Sequence, residues 1–187
     1  MYEAIFLVSL PVLVIGFVWV TYNGLVTLRM RVKEAWSDID VQLKKRYDLL
    51  PDLIETVRKA TKVDEDILTK VTELRTKAME DASKGLDPKV RGQVESQISS
   101  ALNGIKVQVE AYPELKSHTE LNNLMDKVTE IEEKIAYSRR FYNGNVMSYN
   151  TKIKVFPNIL IANTLGFNEE IFFEAEESEK ADIKVSF

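Results

Sequence analysis

The chain has 187 residues, no cysteine and a formal net charge of -4. Its length admits one domain with a real core plus appendages. The missing cysteine excludes disulfides and thiolate metal sites, and the missing basic surplus argues against a general nucleic-acid binder.

No charged residue occurs from Ala4 to Leu28, and Ile5–Val20 is almost wholly apolar. A bilayer span needs ~20 mostly apolar residues, which this run supplies. Tyr2 at one end and Trp19 and Tyr22 at the other suit interfacial positions, and Pro11 is tolerated within a span. A cleaved signal peptide would want a basic start, where Glu3 stands, and a small-x-small site after the apolar run. The expectation is therefore a retained anchor over residues 1–23. Arg29, Arg31 and Lys33, then Lys44, Lys45 and Arg46, all come after the span. The positive-inside rule expects the N-terminus outside and the remainder in the cytoplasm. Arg29, Arg31 and Lys33 are also candidates for contact with anionic headgroups; the interspersed Glu34, Asp38 and Asp40 equally fit a solvated helix face.

The anchor continues at helical spacing through Leu25, Leu28, Val32, Ala35 or Trp36, Ile39, Leu43, Tyr47 and Leu50. Pro51 is expected to kink this helix or start a new one, with Leu53, Ile54 and Val57 resuming the pattern. Asp64 is a candidate N-cap for a second helix using Ile67, Val71, Leu74, Ala78 and Ala82. Gly85-Leu86-Asp87-Pro88 then combines a left-handed C-cap residue, an N-cap and a first-turn proline. A third helix comes next with Val90, Val94, Ile98, Ala101, Ile105, Val109 and Tyr112 inward, broken near Pro113. Ser117-x-x-Glu120 fits a capping box opening a fourth helix, whose stripe runs Leu121, Leu124, Val128, Ile131, Ile135, Tyr142, Val146, Tyr149 and Ile153. Phe156-Pro157 ends it.

At 1.5 Å per residue the first helix beyond the span (24–60) is roughly 55 Å long and the fourth (119–153) roughly 52 Å; the second and third are roughly 30 and 37 Å. Short connections make neighbours antiparallel. The expected fold is all-α: a transmembrane helix continuing into an antiparallel four-helix bundle of two long and two shorter helices. That topology returns Tyr149, Asn150 and Ile153 to the neighbourhood of Asn23 and Leu28.

Several motifs now stand together: Arg31-Val32-x-x-Ala35-Trp36-Ser37-Asp38-Ile39-Asp40-Val41-Gln42-Leu43-Lys44, Arg46-Tyr47-Asp48-Leu49-Leu50-Pro51, Ala111-Tyr112-Pro113, Ile135-Ala136-Tyr137-x-Arg139-x-Phe141-Tyr142-Asn143, Tyr149-Asn150 and Phe156-Pro157. As a set they closely resemble the LemA family of bacterial membrane proteins over nearly the whole chain. The resemblance implies an N-terminal anchor and an antiparallel four-helix bundle; taken with the charge rule, the expected location is the bacterial cytoplasmic (inner) membrane, crossed once. The resemblance implies no defined activity and no catalytic residues.

Tyr142, Asn143, Tyr149 and Asn150, with Asn23 opposite, form a candidate polar network, either structural or partner-binding. Buried polar groups need partners and can fix helix register. Asp126, Glu130, Glu132 and Glu133 do not make a bundle di-iron site, which wants two Glu-x-x-His pairs; His118 is the single histidine. No Gly-rich phosphate loop occurs. The expectation is a non-enzyme with no metal, no cofactor and no nucleic-acid partner.

Residues 156–173 are too apolar for a free tail and too short to span. Ile159, Leu160, Ile161, Leu165, Phe167, Phe172 and Phe173 are candidates for membrane contact or protein packing. Residues 174–187 form an acidic linker and tail, where Ile183, Val185 and Phe187 alternate before the terminal carboxylate as in a strand-adding docking peptide; a frayed tail is the plainer alternative. The residues between, 24–155, make the bundle. The leading functional expectation is a membrane-anchored scaffold or adaptor that binds protein partners or self-assembles. A lipid-engaging or membrane-shaping protein of the cell envelope is the alternative.

Overall fold

The structure is a computed structural model that describes residues 2–60, 64–112 and 118–173. Among the described residues the chain is all-helical, with no strand: α1 (Tyr2–Ala60), α2 (Glu65–Ser83), α3 (Pro88–Ala111), α4 (Thr119–Lys154) and α5 (Asn158–Thr164). They fall into two compact units. The first takes residues 2–37 and 141–170; the second takes 38–60, 64–112, 118–140 and 171–173.

In the second unit the capping residues act as the sequence expects. Asp64 Oδ1 accepts the Asp66 N–H at 3.0 Å, and Asp87 Oδ1 accepts from Lys89 and Val90 at 2.9 and 3.1 Å. Each carboxylate satisfies N–H groups that have no partner within the helix. Gly85, at φ +64°, turns the chain out of α2. Leu86 N–H reaches Asp81 O and Gly85 N–H reaches Ala82 O, each at 3.1 Å, the paired bonds of a Schellman motif. Each helix gives one stripe to the interior: Ile39, Leu43, Leu50, Leu53 and Val57 from α1, Leu68 and Val71 from α2, Val94, Ile98 and Ile105 from α3, and Leu121, Val128 and Ile135 from α4 are all buried. Burying such a side chain contributes about 1.5–3 kcal/mol.

Three expectations are corrected here. Pro51 does not start a new helix, since α1 runs on to Ala60. A proline in a helix interior leaves the carbonyl four residues earlier without its donor. That carbonyl belongs to Tyr47, and it accepts instead from Arg75 Nε of α2 at 2.7 Å. Second, Val90 and Tyr112 are exposed, and Leu102 takes an inward place in α3. Val90 lies in the first turn, directly on the Asp87 cap, and Tyr112 has already left the helix for an extended conformation (φ -111°, ψ 95°). The expectations for Pro113 and Ser117 lie outside the described residues.

In the first unit Leu25, Val32 and Ala35 of α1 are buried, as are Tyr142, Val146, Tyr149 and Ile153 of α4. The rings of Trp36 and Tyr142 lie 5.2 Å apart, tilted by 58°. The third correction concerns the chain beyond Phe156-Pro157, whose peptide bond is cis. A further short helix, α5, occupies Asn158–Thr164. Asn158 Nδ2 donates to Lys152 O at 3.2 Å, tying α5 back to the end of α4. Gly166, at φ +72°, ends α5 while Phe167 N–H bonds to Ala162 O at 3.0 Å. The Phe167 ring then meets Tyr22 of α1 edge-on at 5.8 Å. Earlier in α1, Val12, Leu13, Ile15, Trp19 and Val20 are exposed, in a stretch long and apolar enough to cross a membrane.

Candidate functional site

Within the second unit a groove runs between α1 and α4. It consists of three open hollows of about 480, 360 and 580 Å³. The first is lined by Asp38, Val41 and Gln42 against Glu133, Lys134, Tyr137 and Ser138. The second shares Gln42 and Lys134 with it and adds Lys45, Leu49, Lys127 and Ile131. The third shares Lys127 and extends to Lys59 and Thr119. Positions climb along α1 as they fall along α4, so the two helices are antiparallel in this unit. Tyr137 is 66 % exposed and Val41 48 %. Leu49, Leu124 and Ile131 are half-buried between charged rims of both signs. The hollows are open to solvent rather than enclosed.

Behind the groove lies a buried polar cluster that sequence reasoning misses. Arg46 of α1 is 1 % exposed. Its guanidinium donates to Glu132 Oε1 of α4 at 2.5 Å and to Ser99 Oγ of α3 at 3.0 Å, and also pairs with Glu95 Oε2 of α3. Tyr47 donates its hydroxyl to the other Glu95 oxygen, and Ser99 donates to Glu132 Oε2 at 2.6 Å. Arg91 of α3 reaches Asp40 of α1 at 2.6 Å. Burial works to lower the Arg46 pKa, but the Glu95 and Glu132 carboxylates outweigh it and hold the guanidinium above its ordinary value. Burial, reinforced by the Glu95 carboxylate, raises the Tyr47 hydroxyl. Three helices thus meet on one cation. A buried pair of this kind is weak evidence for stability; what it does here is tie α1, α3 and α4 together at one point. A signal for it does exist in the sequence: Arg46 stands on the inward stripe three residues after Leu43, and Glu95 comes directly after Val94 on the inward face of α3.

The Tyr-Asn network of the first unit is partly assembled. Tyr149 donates its hydroxyl to Asn168 O at 2.9 Å. The Asn150 side chain donates to Glu170 O and accepts the Glu170 N–H, both at 2.9 Å. Asn150 therefore mimics a strand partner for the segment after α5. Arg29 closes the same corner, its Nε 3.1 Å from Glu170 Oε1. Tyr142 is buried against Trp36, and burial, with help from Glu170, pushes its hydroxyl up to about 12. Asn143 is half-buried, and Asn23 is exposed, with its backbone carbonyl accepting from Thr27 Oγ1 at 2.8 Å.

Of the apolar C-terminal candidates, Phe167 and Phe173 are buried, Ile159 and Ile161 half-buried, and Leu160, Leu165 and Phe172 exposed. Arg31 and Lys33 are exposed. Ile183, Val185 and Phe187 lie outside the described residues. His118 is exposed at the start of α4. Glu130 pairs with Lys134 at 2.5 Å, and Glu132 is committed to Arg46. Among the described residues no three His, Asp or Glu side chains are placed to share a metal ion.

Comparison with known proteins gives the same picture of kinship. The chain is similar to Protein LemA of Metamycoplasma hominis, 26% identical over 188 residues, covering 98% of this chain and 84% of the relative. It is similar to Magnetosome protein MamQ 2 of Paramagnetospirillum magneticum, 22% identical over 175 residues and 82% of this chain. Magnetosome protein MamQ of Magnetospirillum gryphiswaldense is likewise 22% identical, over 81% of this chain. The chain spans 64% of each of these two magnetosome proteins' length. The model of the LemA family matches residues 35–187, well over half of the chain, and the chain belongs to the LemA family.

Proposed function

We propose that the chain is a membrane-anchored helical scaffold or adaptor that binds protein partners, or further copies of itself, through the α1–α4 groove. The observation that carries this reading is the groove: long, open and charged at both rims, with Val41, Tyr137, Leu49 and Ile131 exposing apolar surface in two of its hollows and Leu124 in the third, more polar one. Such a surface recognises an amphipathic helix by its apolar face and its flanking charges. Among the described residues no constellation of nucleophile, base and orienting group accompanies it, and the reading assigns no catalysis.

In this reading residues 1–23 are the anchor, 24–155 an antiparallel four-helix bundle, 156–173 a membrane-proximal segment and 174–187 a linker and tail. Contacts of Arg46 with α3 and α4, and of Arg75 with α1, support the bundle. By the charge rule, the N-terminus is outside a bacterial cytoplasmic membrane and the groove faces the cytoplasm. The alternating Ile183, Val185 and Phe187 supply a second docking element. Cross-linking of the full-length chain in its own cells, read by mass spectrometry, tests the proposal. Lys45, Lys127 and Lys134 are expected to give intermolecular cross-links. Finding only intramolecular ones would remove the scaffold reading.

A further inference from the structure

The segment between α4 and Glu169 carries no charge at all: every residue from Val155 to Asn168 is neutral. Two of its polar side chains have local work. Asn158 is buried and bonded to Lys152 O, and Thr164 Oγ1 donates to Leu160 O at 2.7 Å. Its inward apolar residues, Ala162 and Phe167, hold it to its own unit. What remains is an outward set: Phe156 is 80 % exposed, Leu160 61 % and Leu165 48 %. Phe156 and Leu160 are four residues apart around the start of α5, and Leu165 stands just beyond its end. Water is a poor neighbour for three large side chains so clustered in sequence on an uncharged segment.

The surroundings say what covers them. Phe167 fixes the segment against Tyr22, and Tyr22 terminates the exposed apolar stretch of α1. An aromatic at the end of a span belongs at the headgroup level, so a segment held to Tyr22 lies at that depth. Two nearby cations are engaged, Arg29 with Glu170 at 3.1 Å and Lys154 with Glu169 at 2.7 Å, while Lys152 is exposed. The segment itself has no charge from Val155 to Asn168, so the contact it can offer is apolar. We infer that the α5 segment is a monotopic membrane-insertion element, with Phe156, Leu160 and Leu165 entering the acyl boundary of the leaflet beside the anchor. This rests on the membrane attachment proposed above. An inserted element of this type sits about 5–10 Å below the headgroups, and with no charge of its own it has no need of anionic lipid.

The chain has no cysteine, so single nitroxide labels can be placed in the full-length protein in phosphatidylcholine vesicles. Labels are introduced as Phe156→Cys, Leu160→Cys and Leu165→Cys, with Ile15→Cys in the apolar stretch of α1 and Gln93→Cys on exposed α3 as references. The expected result is that labels at 156, 160 and 165 relax with dissolved oxygen rather than with a water-soluble nickel chelate, as at 15 and opposite to 93. Adding anionic lipid or salt should not move them. If 15 is in lipid while 156, 160 and 165 behave like 93, the insertion is overturned and the anchor stands. If the three sites are shielded from both reagents, protein covers them and the insertion is again overturned. If 15 itself lies in water, the membrane attachment fails and this inference with it.

Discussion

Arg75 supplies the hydrogen bond that Pro51 cannot. Its Nε donates to the Tyr47 carbonyl at 2.7 Å, the acceptor four residues before the proline. An unbroken α1 through Pro51 therefore depends on a side chain from α2. Arg75→Met leaves that carbonyl unsatisfied and is expected to cost about 1–3 kcal/mol in urea denaturation monitored by circular dichroism. Pro51→Ala restores an N–H at the same place, so in that background Arg75→Met should cost under about 1 kcal/mol. Equal costs in the two backgrounds would show that Arg75 acts by some other contact.

The Arg46 cluster predicts an asymmetry between its two acids. Glu95 is 4 % exposed and Glu132 28 %. Glu95→Ala strands most of a buried guanidinium and should cost about 3–5 kcal/mol, as for one partner of a buried pair. Glu132→Ala opens a path for water to its side of Arg46 and should cost less. Replacing Arg46 and Glu95 together with Met and Leu should recover much of the loss, read in the same denaturation curves.

Asn150 and Asn23 separate a structural asparagine from a bystander. Asn150→Ala removes two hydrogen bonds to Glu170 and should cost about 1–3 kcal/mol. Hydrogen exchange at the Glu170 amide should rise with it. Asn23→Ala, at an exposed position, should stay within about 0.5 kcal/mol.

Tyr142 gives the chain an alkaline limit. Its folded pKa of about 12 lies above the ordinary tyrosine value of about 10, so the fold favours the neutral hydroxyl. That contribution is intact below pH ~10 and is lost as pH rises through about 12. Since Trp36 lies 5.2 Å away, ionisation should quench its fluorescence in a Trp19→Phe background. The midpoint should fall near 12, and Tyr142→Phe should abolish the step.

How much of this is legible in the sequence depends on how local its causes are. The α4 stripe from Leu121 to Ile153 and the caps at Asp64 and Asp87 rest on neighbours in sequence, and periodicity finds them. Pro51 reads as a kink or a new start because its compensating donor, Arg75, lies on another helix. Arg46 reads as one more charge in the Lys44-Lys45-Arg46 run; its place on the inward stripe after Leu43 hints at burial, but its acidic partners Glu95 and Glu132 lie on other helices. α5 is seven residues long, too short for a 3.6-residue period to register, and its helix arises instead from the Pro157 turn and the Asn158 tie to Lys152. The groove is invisible for a different reason: it is defined by side chains that do not pack.

The measurement that most directly tests the scaffold reading is site-specific photo-cross-linking in living cells. A photoreactive residue replaces Tyr137 or Val41 in the groove, and Gln93 on α3 as the reference. Intermolecular adducts at 137 and 41, absent at 93, are the predicted result. Groove positions that yield no more adduct than position 93 would contradict it.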